Sequence, residues 1–287
     1  MNECFFASDL HGHADRWEKL FKAIEETRPS AVFLGGDLLP SPFALAPSAA
    51  PGHDDFVADF LAGGFARLRD RLGEQYPKVF LILGNDDYRF EEAAFLEAAA
   101  QGLWIYIHDR SAPFGDHRVY GYAYVPPTPF RLKDWERYDV SRYVDPGCVS
   151  PEEGWRSVPV AANKSRYATI REDLSVLAGD DSLERALFLF HTPPYRTNLD
   201  RAALDGKVID HAHVDVHVGS IAVKRFIEVR QPLLTLHGHI HESARLMGSW
   251  RDRIGRTHMF TAAHDGPELA LVRFALDDLD SAERELR

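Results

Sequence analysis

The chain opens as a succession of strand–helix units when its apolar and polar positions are followed in order. Residues 3–8 are an apolar stretch of strand type, and Trp17, Leu20, Phe21 and Ile24 then recur at helical spacing. A second short apolar strand covers 31–34. A Pro/Ala/Ser-rich loop runs over 38–52, and Phe56, Phe60, Leu61, Phe65 and Leu68 predict a helix over 54–72. Residues 79–83 read as a strand buried on both faces, with an Ala-rich helix following over 90–100. Such alternation predicts an α/β fold with a largely parallel sheet covered by helices.

The middle of the chain behaves differently. From about 112 to 160 it is rich in Pro, Tyr, Trp and charge, with no sustained period. This stretch is expected to be a loop and hairpin insertion in a single domain spanning 1–287. Periodicity returns with a predicted helix over 165–177 and a buried strand over 186–190. Ser220 is expected to cap a helix reaching 230. Strands follow over 233–236, 257–262 and 269–274, the last expected to end the fold, with the charged tail after Leu276 a solvated end.

Composition narrows the function classes. At 287 residues, with 45% hydrophobic and 27% charged, the chain suits a large buried core and excludes disorder. Its longest apolar runs fall far short of the roughly 20 residues of a membrane span. Lys plus Arg total 33 against 44 Asp plus Glu, a net charge of −11 that repels nucleic-acid backbones. The two cysteines, Cys4 and Cys148, lack a CxxC arrangement, and the N-terminus has no basic leader pattern. A cytoplasmic protein is expected, with no membrane or nucleic-acid partner.

The candidate chemistry lies where five apolar strands end. The first runs into Ser8-Asp9-Leu10-His11-Gly12, the second into Gly35-Gly36-Asp37, the third into Gly84-Asn85-Asp86-Asp87. The fourth runs into His191-Thr192-Pro193-Pro194, the fifth into His237-Gly238-His239-Ile240-His241. A single Asp or His after a strand is an ordinary cap or turn residue. Five in order, at the carboxyl ends where α/β sheets bind ligands, point to one site. Asp9 and His11 alternate along an extended segment, as do His239 and His241, so each pair is able to share a side. Carboxylate, imidazole and amide oxygen without thiolate suit Mn, Fe, Zn or Ni. Seven ligands are too many for one ion with an open position and right for two.

In this order, DxH, GD, GN, H and GHxH resemble the calcineurin-like metallophosphoesterase superfamily, over most of the chain. The resemblance implies a four-layer α/β/β/α sandwich with a two-metal centre at one edge. It implies that Asp9, His11, Asp37 and His241 hold one ion, and that Asp37 bridges to a second completed by Asn85, His191 and His239. It further implies hydrolysis of phosphomonoesters or phosphodiesters of a small molecule by a metal-bound hydroxide, manganese being one candidate metal. Two cations less two carboxylates leave a charge of about +2, enough to attract phosphate despite the acidic chain. A cyclic-nucleotide-type phosphodiesterase and a non-catalytic scaffold, as in the retromer subunit of this fold, are the alternatives.

Where many members carry a His after the motif Asn, this chain has Asp86. Cations nearby favour an ionised carboxylate, which has no proton to give. Aryl esters are therefore expected to turn over faster than alkyl esters. Weaker candidates for substrate contact are Asn85, Tyr195, Arg196 and His217; His217 lies just before a helix start at Gly219-Ser220. His211 and His213 are expected on a polar loop or strand facing water, and Tyr120, Tyr122, Tyr124, Phe130 and Trp135 in packing.

Overall fold

A computed structural model describes residues 3–40, 55–209 and 211–287. Most of the predicted loop over 38–52, and the first residue of the helix predicted from 54, lie outside the described residues. The first sheet is built from β1 (Glu3–Ala7), α1 (Ala14–Thr27), β2 (Ala31–Gly35), α2 (Gly63–Leu72), β3 (Lys78–Ile82), α3 (Glu92–Ala100) and β4 (Ile105–Tyr106). The second uses β5 (Arg110–Phe114), β6 (His117–Tyr122), α4 (Ala162–Tyr167), α5 (Ile170–Ala178) and β7 (Ala186–Phe190). After a small hairpin of β8 (Val208–Ile209) and β9 (Ala212–His213) come α6 (Ile221–Arg230), β10 (Leu234–His237), α7 (Ser243–Met247), β11 (Arg251–Ile254) and β12 (Thr257–Thr261). Strands β13 (Ala270–Ala275) and β14 (Asp278–Leu286) return to the first sheet.

Among the described residues the two large sheets have six strands each, in the orders β14-β13-β1-β2-β3-β4 and β11-β12-β10-β7-β6-β5. In the first, β1 to β4 are parallel and β13 and β14 add antiparallel on one side; in the second, the four central strands are parallel and both edge strands antiparallel. Strands β2 and β3 lie against β6 and β7, so the sheets pack face to face. Phe33 and Phe80 stack at 5.4 Å between ring centroids in one sheet and meet Phe114 of the other edge-on. Phe274 and Phe260 bridge the gap likewise at 6.0 Å. Parallel crossovers place helices on the outer faces, where Trp17 and Phe65 join α1 to α2 and Phe188 meets Phe226 of α6. Strands buried on both faces explain the unbroken apolar runs. The α/β architecture and parallel character match the expectation.

Three local expectations need correction. Residues 112–122, expected among loops and hairpins of an insertion, belong to β5 and β6 of the second sheet. The predicted helix over 165–177 is broken: Thr169 is extended and its side chain accepts the Glu172 N–H, capping α5 separately from α4. The tail is not a solvated end. Its β14 pairs antiparallel with β13 and buries Leu279 and Ala282, while Asp278, Asp280 and Glu283 are exposed along the sheet edge. Ser220 caps α6 as expected, accepting the Val223 N–H at 3.0 Å. No helix among the described residues is long and apolar enough to cross a membrane.

Candidate metal centre

The carboxyl ends of β1, β2, β3, β7 and β10 converge at one edge of the two sheets. Their loops bring Asp9, His11, Asp37 and His241 into one group and Asp37, His191 and His239 into another. Within each group the ligating atoms lie within 4.8 Å of one another, and Asp37 belongs to both. Asn85 joins the second group, its Oδ1 3.0 Å from His191 Nε2. Asp9, Asp37, Asn85 and His191 are buried; His11, His239 and His241 are only partly covered, so the cluster opens to solvent on their side.

Backbone geometry here is unusual. Asp9, His11, Asp37 and His239 adopt positive φ angles of 58°, 46°, 51° and 75°. Such angles cost energy for residues with a Cβ and persist where the surroundings over-determine them. Two glycines make the approach possible. A Cβ on Gly84 would sit 2.3 Å from Asp37 Oδ1, and one on Gly36, at φ +96°, 2.7 Å from His191 Nδ1.

The polar groups fit cations better than one another. Asp9 Oδ2 is buried with no hydrogen-bond partner. His11 Nε2 and His241 Nε2 face each other at 3.1 Å, and His191 Nε2 lies 3.2 Å from Asp37 Oδ2. Donor atoms bonded to one small divalent ion at about 2.1 Å stand about 3.0–3.4 Å apart, so these spacings suit shared coordination. Burial pushes the Asp9 carboxyl up, but the hydrogen bond and charge of His241 outweigh it and hold Asp9 below the usual carboxylate range. Burial opposes charge on His191 too, yet Asp37 overrides it and lifts the imidazole to about 10. His239 is pushed down to about 3 by burial and by the charge of His191.

A family model described as calcineurin-like phosphoesterase matches residues 5–243. The chain belongs to the calcineurin-like phosphoesterase family. It is thus a metal-dependent phosphoester hydrolase, with Asp9, His11, Asp37, His191, His239 and His241 its candidate metal-binding residues. Its fold resembles that of the protein TT1561 of Thermus thermophilus, at 17% identity and a TM-score of 0.55, over 99% of this chain and 98% of that one. A dimetal phosphatase from Danio rerio aligns at 15% identity and a TM-score of 0.50, over 94% of this chain and 91% of that one. No curated protein sequence matches the chain.

Other residues of the phosphoesterase hold this cluster in place. Asp87 is fully buried and accepts the backbone N–H groups of Leu38, Leu39 and Gly84, tying the loop after β2 to the loop after β3. Buried Arg16 donates to the carbonyl of Asp9 at 2.7 Å and to that of Gly266. His237 Nδ1 lies 2.9 Å from the Thr192 carbonyl oxygen and its Nε2 2.8 Å from Thr235 Oγ1. Asp86 donates its N–H to Asp37 Oδ1, accepts Asn85 Nδ2–H at 2.9 Å and faces His11 Nδ1 at 3.8 Å. Tyr195, Arg196 and His217 lie outside the ligand groups. The Tyr195 hydroxyl donates to Asp215, and Arg196 pairs with the same carboxylate at 3.7 Å. His211 and His213 are exposed, His213 within β9 of the small hairpin.

The protonation states give a pH prediction for the metal-free phosphoesterase. Burial and the charge of Asp37 push Asp86 up to about 7 and Asp87 to about 8, while His191 stands at about 10. All three are raised, so the folded state prefers their protonated forms. That stability is complete below their unfolded values and fades as pH rises through the folded ones. Metal-free protein is expected to melt progressively lower from neutral pH to 10. Loading a cation must also expel the His191 proton. Calorimetric metal titrations in two buffers of different ionisation enthalpy are expected to show proton release near pH 8; release of none contradicts the assignment.

Proposed function

We propose that the protein hydrolyses phosphomonoester or phosphodiester bonds of a small molecule with two divalent ions. Asp9, His11, Asp37 and His241 would hold one ion and Asp37, Asn85, His191 and His239 the other. The observation that carries this reading is the carboxylate of Asp37, common to two ligand groups. Bound there, such ions activate water and neutralise charge on phosphoryl oxygens.

Of the two candidate catalytic residues, Asp37 and Asp86, Asp37 spans the ligand groups. Asp86 positions them: its carboxylate holds the Asn85 amide so that Oδ1 faces His191, and its N–H fixes the outer oxygen of Asp37. Filled ligand positions support an enzyme over a binding scaffold. Manganese, iron, zinc or nickel suits the nitrogen and oxygen donors. We read 1–287 as one domain, because the buried core runs on through both sheets. A cytoplasmic setting rests on two thiols, Cys4 and Cys148, that are not joined.

A panel of phosphomonoesters and phosphodiesters, assayed on metal-stripped protein with each metal added back, tests the reading. Hydrolysis restored by metal, with two ions per chain by elemental analysis, is the expected result; activity at one ion per chain contradicts the dinuclear site. With a net charge of −11, binding of duplex DNA is expected to be undetectable at about 0.15 M salt. Sub-micromolar binding there would favour a nuclease.

A further inference from the structure

A segment hydrogen-bonded to the loops after β7 and β10 carries a second pair of acid–base groups. His217 Nδ1 is 2.8 Å from Asp200 Oδ1. Asp200 is fully buried and also accepts the backbone N–H groups of Arg196, Thr197 and Gly219. A carboxylate already receiving three amides acts as the acceptor, so Nδ1 carries the hydrogen and the tautomer is set. The Nε2 of His217 then points away from Asp200, on a side chain 24% exposed.

The pair is laced to both His-bearing loops. The Ser220 N–H donates to the Pro193 carbonyl at 2.8 Å, two residues beyond His191. A Cβ on Gly219 would lie 2.7 Å from the Pro193 oxygen and 2.8 Å from Asp200 Cβ. On the other side, the Ala203 N–H donates to Glu242 Oε1 at 2.9 Å, next to His241. Among the described residues outside the metal-ligand groups, His217 alone pairs a ring nitrogen with a buried carboxylate on a partly exposed side chain. His237 has both nitrogens engaged, His264 faces the partly exposed Glu268, and His258 faces the exposed Asp280.

We propose that His217, oriented by Asp200, donates the proton to the leaving-group oxygen, a role Asp86 does not fill. This rests on the phosphoesterase reading above. The water oxygen forms the new P–O bond while the ester P–O bond breaks, its electron pair leaving on the alcohol oxygen. The Nε2 proton goes to that oxygen, and a proton shed by the attacking water restores the imidazolium. The charged and titratable groups around His217 are Asp200, Asp215, Tyr195, Arg196 and Arg201. With this donor in place, the aryl preference expected from Asp86 alone is shallow in the wild type.

The test is kinetics on a leaving-group series, from p-nitrophenyl to alkyl phosphoesters, for metal-loaded wild type and His217→Gln. The variant is expected to raise the aryl-to-alkyl rate ratio about 10²-fold or more and to lose the alkaline limb of the alkyl pH profile. An unchanged ratio in a variant with wild-type melting behaviour overturns the proposal. Ring ¹⁵N NMR gives a readout independent of activity: Nδ1 of His217 is expected to carry the hydrogen that bonds Asp200. A neutral ring with its hydrogen on Nε2 instead also overturns it. A wild type that hydrolyses no ester with any metal sinks the phosphoesterase reading, and the donor role with it.

Discussion

Asp37→Ala is expected to lower hydrolysis by at least about 10³-fold and to reduce the metal content of the purified protein at both positions. The magnitude follows from the several kcal/mol that bound divalent ions contribute to phosphoryl-transfer transition states, each 1.4 kcal/mol being tenfold. Asp37 is a ligand candidate in both groups, so its loss also removes the negative charge that keeps His191 protonated in the metal-free state. His241→Ala, which touches one group only, is expected to leave the second ion bound. Elemental analysis of the two variants, with turnover on a p-nitrophenyl ester, separates the cases. Equal metal content in wild type and Asp37→Ala would falsify the bridging assignment.

Asp87→Ala is expected to be the most destabilising change near the site. Its carboxylate satisfies the backbone N–H groups of Leu38, Leu39 and Gly84, and all four residues are buried. Each orphaned buried donor costs about 1–3 kcal/mol, so the sum is about 3 kcal/mol or more. That is a large share of the roughly 5–15 kcal/mol by which folded domains are stable. Asp87→Asn keeps one acceptor oxygen and is expected to lose about half as much. Urea unfolding of metal-free protein measures both; a midpoint change equivalent to less than about 1 kcal/mol for Asp87→Ala would mean that water replaces the carboxylate.

Leaving-group kinetics bear on Asp86 as well. It contacts Asn85, Asp37 and His11, so Asp86→Ala is expected to weaken metal retention more than it alters the aryl-to-alkyl ratio. The same metal analysis reads this out.

The candidate metal-binding residues were legible in the chain because each follows an apolar run that has no reason to end in a carboxylate or imidazole. Strand period and strand-end chemistry are local properties, and five local signals in order outweigh any one. The same locality explains the core strands, whose apolar runs match burial on both faces. Only the tertiary structure decided which polar residues hold the ligands. Asp87 stands beside Asn85 and Asp86 in sequence, but its task is set by amides 48 and 49 residues away. Asp200 gains its meaning from His217 and Gly219, and Arg16 from carbonyls near 266, contacts with no periodic trace. The tail was misread for a related reason: a charged edge strand alternates too weakly to announce itself, and pairing with β13 is what makes it a strand. Hydrophobic periodicity follows from a residue's own burial, whereas a buried polar group is satisfied by partners that folding alone brings within reach.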